Sequence, residues 1–307
     1  MRPHRDFLAV TDFNRDEIIE TIALACELKE RRNTNQEVRP LGGQTWGLIF
    51  HKASLRTRIS FEVGIAELGG NAIYITEKEI ELGKRETIAD AAKVLSRYLG
   101  GIMIRTFSHA DVEELARYAD IPIINGLTDY SHPCQIMADI QTVYEKLNRF
   151  DDFRITYLGD GNNITNSWLE LAQRLNFELV IGTAEDTLPD MTLVDAANKS
   201  GGSRVTIEHD PVKAVTGSHV IYTDVWASMG QKEQADEKAR KLQPFQVNEK
   251  LVSHADKNCI ILHCLPAERG KEITDGVMDG PHSVVFDQAE NRLHAQKAVM
   301  MVLMETK

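Results

Sequence analysis

Ser54-Leu55-Arg56-Thr57-Arg58 is the first of six short clusters in this chain whose residue types suit chemistry on an anion or a carbonyl. It follows the apolar stretch Thr45 to Phe50 and opens a helical pattern. Ser and Thr hydroxyls cap the free amides of a helix start, and those amides with the helix dipole favour negative charge. Two arginines at i and i+2 add forked donors that fit phosphate oxygens. The cluster reads as a phosphate cradle without the glycines and lysine of a P-loop, or as a capped helix with solvated arginines; spacing leaves both open. Arg105-Thr106 ends the apolar stretch Gly101 to Arg105. It is either a second anion contact or that strand's exit into water. His132-Pro133-Cys134-Gln135 carries a proline that starts helices. His132 and Gln135, at i and i+3, share a helix face. Two such donors can polarise a carbonyl oxygen, although a histidine there also serves as a plain cap or core residue.

The other three clusters lie in the second half. Gly159-Asp160-Gly161-Asn162-Asn163 resembles the strand-turn-helix start of a dinucleotide fold, but position 164 is Ile and the glycine fingerprint is incomplete. Asn163 suits a neutral polar contact to a small ligand. Asp224-Val225-Trp226-Ala227-Ser228-Met229-Gly230 offers a carboxylate that can hold an ammonium group, or an acidic helix cap, and then a flexible Ser228-Met229-Gly230 loop. His263-Cys264-Leu265-Pro266-Ala267 follows a strand-like stretch. Adjacent residues on a strand face opposite ways, which argues against a Cys-His nucleophilic pair and against a metal held by both. Cys264 at the strand end can instead contact a ligand. A last candidate, Arg292, sits in the terminal helical segment.

Positioning these groups falls to a repeating pattern of short apolar strands and amphipathic helices. Strands are expected at 45–50, 72–75, 101–105 and 121–126, then at 154–160, 178–183, 219–224 and 259–264. Helices are expected at 58–68, 88–98, 112–118 and 167–175. Such alternation predicts an α/β fold: two lobes, each a parallel sheet flanked by helices. A long helix over 132–150 joins the lobes, and a helix over 287–305 returns to the first. The first domain then spans 1–136, completed by 287–307, and the second 137–286. Ligands bind beyond the carboxyl ends of parallel strands, where every cluster above falls, so the lobes would present their ligand ends across a shared cleft.

The whole chain narrows the classes further. Its 307 residues, 42% hydrophobic, suit two cores better than one. A formal net charge of -11 argues against a nucleic-acid or anionic-membrane surface. It leaves room for a cleft of arginines that binds an anion. Cys26, Cys134, Cys259 and Cys264 form no CxxC pair and no disulfide scaffold. The first residues lack the apolar core of a signal peptide, and no apolar run approaches a membrane span. A cytoplasmic location is the expectation.

In this order, SLRTR (54–58), HPCQ (132–135) and HCLPA (263–267), with Arg105 and Arg292 in matching positions, resemble the aspartate/ornithine carbamoyltransferase family over essentially the whole chain. GDGNN (159–163), DVWASMG (224–230) and HCLP point to its ornithine branch. The resemblance implies transfer of the carbamoyl group of carbamoyl phosphate to the side-chain amine of L-ornithine, giving citrulline and phosphate. It implies a homotrimer and neither metal nor cofactor. Ser54, Arg56 and Thr57 would hold the phosphate, with the backbone of Leu55. Arg105 would bridge phosphate and carbonyl, His132 and Gln135 would meet the carbamoyl group, and Arg292 would reach it from the terminal helix. Asn163, Asp224, Ser228 and Met229 would bind ornithine, and Cys264 and Leu265 would border both substrates. Arg105, His132 and Cys264 are the expected catalytic groups. Two positions depart from the family pattern: Leu55, where Thr is common, and Glu81, where a Gln or His usually reaches the neighbouring subunit. The close rival is a carbamoyltransferase for putrescine or an N-acylated ornithine. A dinucleotide-dependent oxidoreductase and a non-catalytic homologue are more distant ones.

Overall fold

A computed structural model describes residues 4–80, 82–226 and 232–305. The chain forms two compact units, Met1–Gln141 with Glu290–Lys307, and Thr142–Ala289. The helix Pro133–Leu147 starts in the first unit and ends in the second, and the helix Val285–Met304 makes the return passage.

The first unit holds four parallel strands, β1 (Thr45–Phe50), β2 (Asn71–Thr76), β3 (Gly101–Arg105) and β4 (Ile123–Leu127). They lie in the order β2-β1-β3-β4. Trp46, Leu48, Ile49, Ile102 and Ile104 are fully buried, as expected where helices cover both faces of a parallel sheet. Gly101 is required by packing: a Cβ there would stand 2.6 Å from the Trp46 ring.

The second unit holds β5 (Arg154–Leu158), β6 (Glu178–Gly182), β7 (Arg204–Glu208), β8 (Val220–Thr223) and β9 (Ile260–His263). All are parallel, in the order β7-β6-β5-β8-β9. Leu158, Ile221, Trp226, Phe245 and Ile261 belong to one buried cluster. In each sheet, strand order reverses beside the first strand, between β1 and β3 and between β5 and β8. Adjacent crossovers run to opposite sides there, which opens a crevice at the carboxyl ends.

The two parallel sheets flanked by helices agree with the expected α/β fold. Among the differences, β7 was not among the expected strands, being a short edge strand with Val205 its one buried residue. Nor was the helix Arg15–Asn33 expected, although Asn14 and Glu17 form a capping box at its start. Helix Leu55–Glu67 begins three residues before its apolar periodicity, at the Ser54 cap. β9 ends at His263, one residue earlier than expected.

Candidate active site

The first group of site residues lies at the carboxyl ends of β1 and β3 in the first unit. Ser54 is extended and caps helix Leu55–Glu67: its Oγ accepts from Thr57 N at 3.3 Å. The same hydroxyl donates to Thr57 Oγ1 at 3.2 Å. Thr57 is fully buried, and its Oγ1 also accepts from Arg105 Nη1 and from Arg292 Nη2, both at 3.3 Å. Two guanidinium groups from distant segments therefore meet over a helix N-terminus. Arg105 Nε donates to Lys52 O at 3.2 Å. Arg292 Nε donates to Gln296 Oε1 at 3.0 Å, and its Nη1 to Gln135 Oε1 at 2.7 Å. Gln135 Nε2 in turn donates to buried Asp139 at 2.8 Å. Every bond in this chain fixes a donor in place before any ligand arrives, which is the condition for electrostatic stabilisation without reorganisation.

His132 is 4% exposed and lies against this group. Burial holds its pKa well below the ordinary imidazole value, and Arg292, Arg105, Arg56 and Lys52 push it further the same way. It is a neutral imidazole at neutral pH, able to offer a hydrogen bond without adding charge. Arg56 is part-exposed, and Leu55 is 75% exposed. Arg58 does not join them. It bonds Glu62 at 2.9 Å and stacks on the Tyr74 ring at 3.9 Å. Residues i and i+2 of a helix do not face each other, so the two arginines do not form one fork, and Arg58 is engaged elsewhere.

The second group lies at the carboxyl ends of β5, β8 and β9. Asp224, 8% exposed, accepts from Val225 N at 2.8 Å and from Cys264 Sγ at 2.9 Å on Oδ1. Its Oδ2 accepts from Asn162 Nδ2 at 3.0 Å. Asn162 caps helix Asn163–Ala172 through Oδ1, which takes Ile164 N at 2.9 Å and Thr165 N at 3.2 Å. That cap turns its amino group toward Asp224. The sequence pattern points to Asn163, which is the first helical residue; the residue that meets Asp224 is Asn162, and its signal is an asparagine one residue before a helix. Gly161 is required here, because a Cβ would lie 2.3 Å from Leu188 O.

Beyond β9, Leu265 takes a left-handed φ of 57°, unusual for a branched side chain. Its amide donates to His263 Nδ1 at 2.9 Å. With Nδ1 accepting, Nε2 carries the proton and donates to Glu272 at 3.1 Å, both side chains fully buried. This link ties down the loop that carries Cys264. The strand-alternation argument against a shared His263-Cys264 site does not hold, because Cys264 lies past the strand end. Ligand atoms of Asp224, His263 and Cys264 lie within 4.8 Å of one another. Both His263 nitrogens and the Asp224 oxygens are already engaged in the hydrogen bonds above. Ser228, Met229 and Glu81 lie outside the described residues.

Residues 5–145 match the family described as "Aspartate/ornithine carbamoyltransferase, carbamoyl-P binding domain". Residues 151–303 match its "Asp/Orn binding domain". A relative from Thermococcus kodakarensis named ornithine carbamoyltransferase is 52% identical over 98% of this chain and 96% of its own. One of the same name from Geobacillus stearothermophilus is 50% identical over 97% and 96%. The solved structure of ornithine carbamoyltransferase from Pyrococcus furiosus superposes with a TM-score of 0.95 at 47% identity, covering 99% of this chain and 98% of that one. With both halves matched in order and relatives aligned from end to end, the chain belongs to the aspartate/ornithine carbamoyltransferase family.

Proposed function

We propose that this enzyme transfers the carbamoyl group of carbamoyl phosphate to the side-chain amine of L-ornithine, yielding L-citrulline and phosphate in arginine metabolism. The observation that carries this reading is the convergence of Arg105 and Arg292 on Thr57 at a helix N-terminus. Such a group binds a phosphate dianion and, beside it, a carbonyl oxygen gaining charge. The acceptor assignment rests on Asp224 and on the relatives' name, ornithine carbamoyltransferase.

In this reading Ser54, Arg56, Thr57 and the Leu55 amide hold the phosphate, and Arg105, His132, Gln135 and Arg292 hold the carbamoyl group. Asn163, Asp224, Ser228 and Met229 bind ornithine, with Cys264 and Leu265 bordering both substrates. We add Asn162 as the residue that orients Asp224. The amine must be neutral to attack, although free amines of this kind titrate near ~10. A field of arginines disfavours the ammonium form and lowers that value. As the amine nitrogen bonds to the carbonyl carbon, charge grows on the oxygen facing Arg105 and His132. The bond from carbon to the phosphate oxygen then breaks, and phosphate leaves with the amine's proton. The 1–136 plus 287–307 and 137–286 domains divide the two substrates in the same way. Holding both substrates in register supplies much of the acceleration.

A homotrimer and a cytoplasmic location complete the proposal. Large apolar side chains exposed on the first unit, among them Leu55, Ile59, Ile73 and Tyr98, supply surface that a subunit contact can bury. Four free thiols fit a reducing compartment. Among the described residues no helix is long and apolar enough to cross a membrane.

The test is citrulline-type product formation from carbamoyl phosphate with ornithine, acetylornithine, succinylornithine, putrescine, lysine and aspartate. Preference for ornithine is expected. Preference for another amine would overturn the acceptor, and no phosphate release with any amine would overturn the activity.

A further inference from the structure

The first unit contains a second basic pocket, away from the residues described above. Its volume is about 230 Å³, and Arg31, Arg32, Arg39 and Lys297 line it with only two carboxylates, Glu37 and Glu67. Glu67 is shared: Arg32 Nε bonds one of its oxygens at 2.7 Å and Lys297 Nζ the other at 2.6 Å. Arg31 bonds Glu27, which is outside the lining, at 2.7 Å. Arg39 pairs with Glu37 at 2.8 Å, with both side chains about 70% exposed (70% and 72%). Positive charge is thus in excess within the pocket, on a chain whose formal net charge is -11.

These pairs leave donors over. Arg31 and Arg32 use only Nε, so their paired terminal amino groups have no hydrogen-bond partner among the described residues. Ion pairs as exposed as Arg39–Glu37 contribute little. A multiply charged anion can therefore displace Glu37 from Arg39 at little cost. Guanidinium forks suit the oxygens of phosphates and carboxylates alike.

The pocket shares two helices with the candidate site. Leu55–Glu67 starts beside Ser54 and ends at Glu67, about 18 Å away by helix rise. Val285–Met304 carries Arg292 and, five residues on, Lys297. A ligand that draws on Lys297 or Glu67 acts on elements that hold Arg292 and Thr57.

We propose that the pocket bounded by Arg31, Arg32, Arg39 and Lys297 is an effector site for a small polyanion, a phosphate ester or a di- or tricarboxylate. Occupancy changes the affinity for carbamoyl phosphate through the two shared helices, and by linkage carbamoyl phosphate changes the effector's affinity equally. The binding site goes beyond the proposed reaction and does not depend on it, whereas the coupling rests on carbamoyl phosphate being the substrate.

Calorimetric titration of the intact protein with pyrophosphate and, separately, citrate tests the proposal. Arg56→Ala isolates the pocket from the phosphate cradle, and Arg31→Ala with Arg39→Ala removes the pocket. At least one polyanion is expected to bind Arg56→Ala, with affinity falling tenfold or more when the pocket changes are added. Citrate binding alone marks a carboxylate effector, and pyrophosphate alone a phosphate ester. Matching thermal midpoints exclude misfolding, and Arg39→Ala by itself replaces the pair if they do not match. Neither anion binding Arg56→Ala, or unchanged affinity after the pocket substitutions, overturns the site. An unchanged KM for carbamoyl phosphate with the polyanion saturating overturns the coupling. A polyanion-dependent change in that KM that is the same in the wild type and in the Arg31→Ala, Arg39→Ala variant is competition at the cradle, and it overturns the coupling too.

Discussion

Asp224→Asn isolates the acceptor half of the site. A carboxylate offers about four lone-pair positions on two oxygens. In Asp224, Oδ1 takes Val225 N and Cys264 Sγ, and Oδ2 takes Asn162 Nδ2. Among the described residues one position on Oδ2 is left, and in the proposed reading it takes the amine of ornithine. An amide in its place loses the charge and brings an amino group against the Asn162 amino group or the Cys264 thiol. A hydrogen bond to a charged group is worth about 1.5–3 kcal/mol. At ~1.4 kcal/mol per factor of ten, the loss corresponds to a roughly 10- to 150-fold fall in kcat/KM for ornithine. The KM for carbamoyl phosphate, measured with the other substrate saturating, is expected to change less than about threefold, because no carbamoyl phosphate group is assigned to Asp224. Steady-state kinetics on wild type and variant reads both values. A fall below threefold for ornithine, or an equal rise in both KM values, would refute the open lone pair as the amine's partner.

Arg56→Ala is expected to abolish calorimetrically detectable carbamoyl phosphate binding; unchanged affinity would remove Arg56 from the cradle. His132 is held neutral by burial and four nearby cations, so its imidazole NMR signals should not titrate between pH 6 and 9. His132→Phe should lower kcat by ~10²–10³, as for loss of one oxyanion donor, and a histidine that titrates in that range would contradict the neutral-donor role. His294 is fully buried, and its folded pKa is lowered to about 3 by burial and then by Lys297, Lys29 and Arg32. Between that value and the ordinary 6.5 the unfolded chain binds the proton and the folded chain does not, so stability falls as pH drops through this window. The slope from one such group is at most about 1.4 kcal/mol per pH unit. His294→Met should flatten the urea-denaturation dependence between pH 6.5 and 4.5, and an unaltered slope would show that His294 protonates freely in the fold.

Much of the architecture was legible because it is local. TWGLIF and GIMIR are short apolar runs, and they form β1 and β3. Ser54 caps the helix that follows β1. Such signals depend on neighbours within four residues, which a sequence displays directly. Legibility failed where local signals were weak or were extended too far. β7 carries little apolar surface at its sheet edge, and strand alternation was carried one residue beyond the end of β9.

By itself, the sequence determined most of the segments that become strands and helices, which polar clusters end those strands, and which family they resemble. Tertiary structure alone decided which groups meet. Thr57 lies 48 residues from Arg105 and 235 from Arg292, and Asn162 lies 62 from Asp224. Those separations carry no local signal. They close because parallel crossovers bring successive carboxyl ends to one edge, and because a terminal helix returns Arg292 to the first unit. The same packing sent Arg58 to Glu62 and Tyr74, away from Arg56, since helix geometry fixes the direction of a side chain whatever its charge.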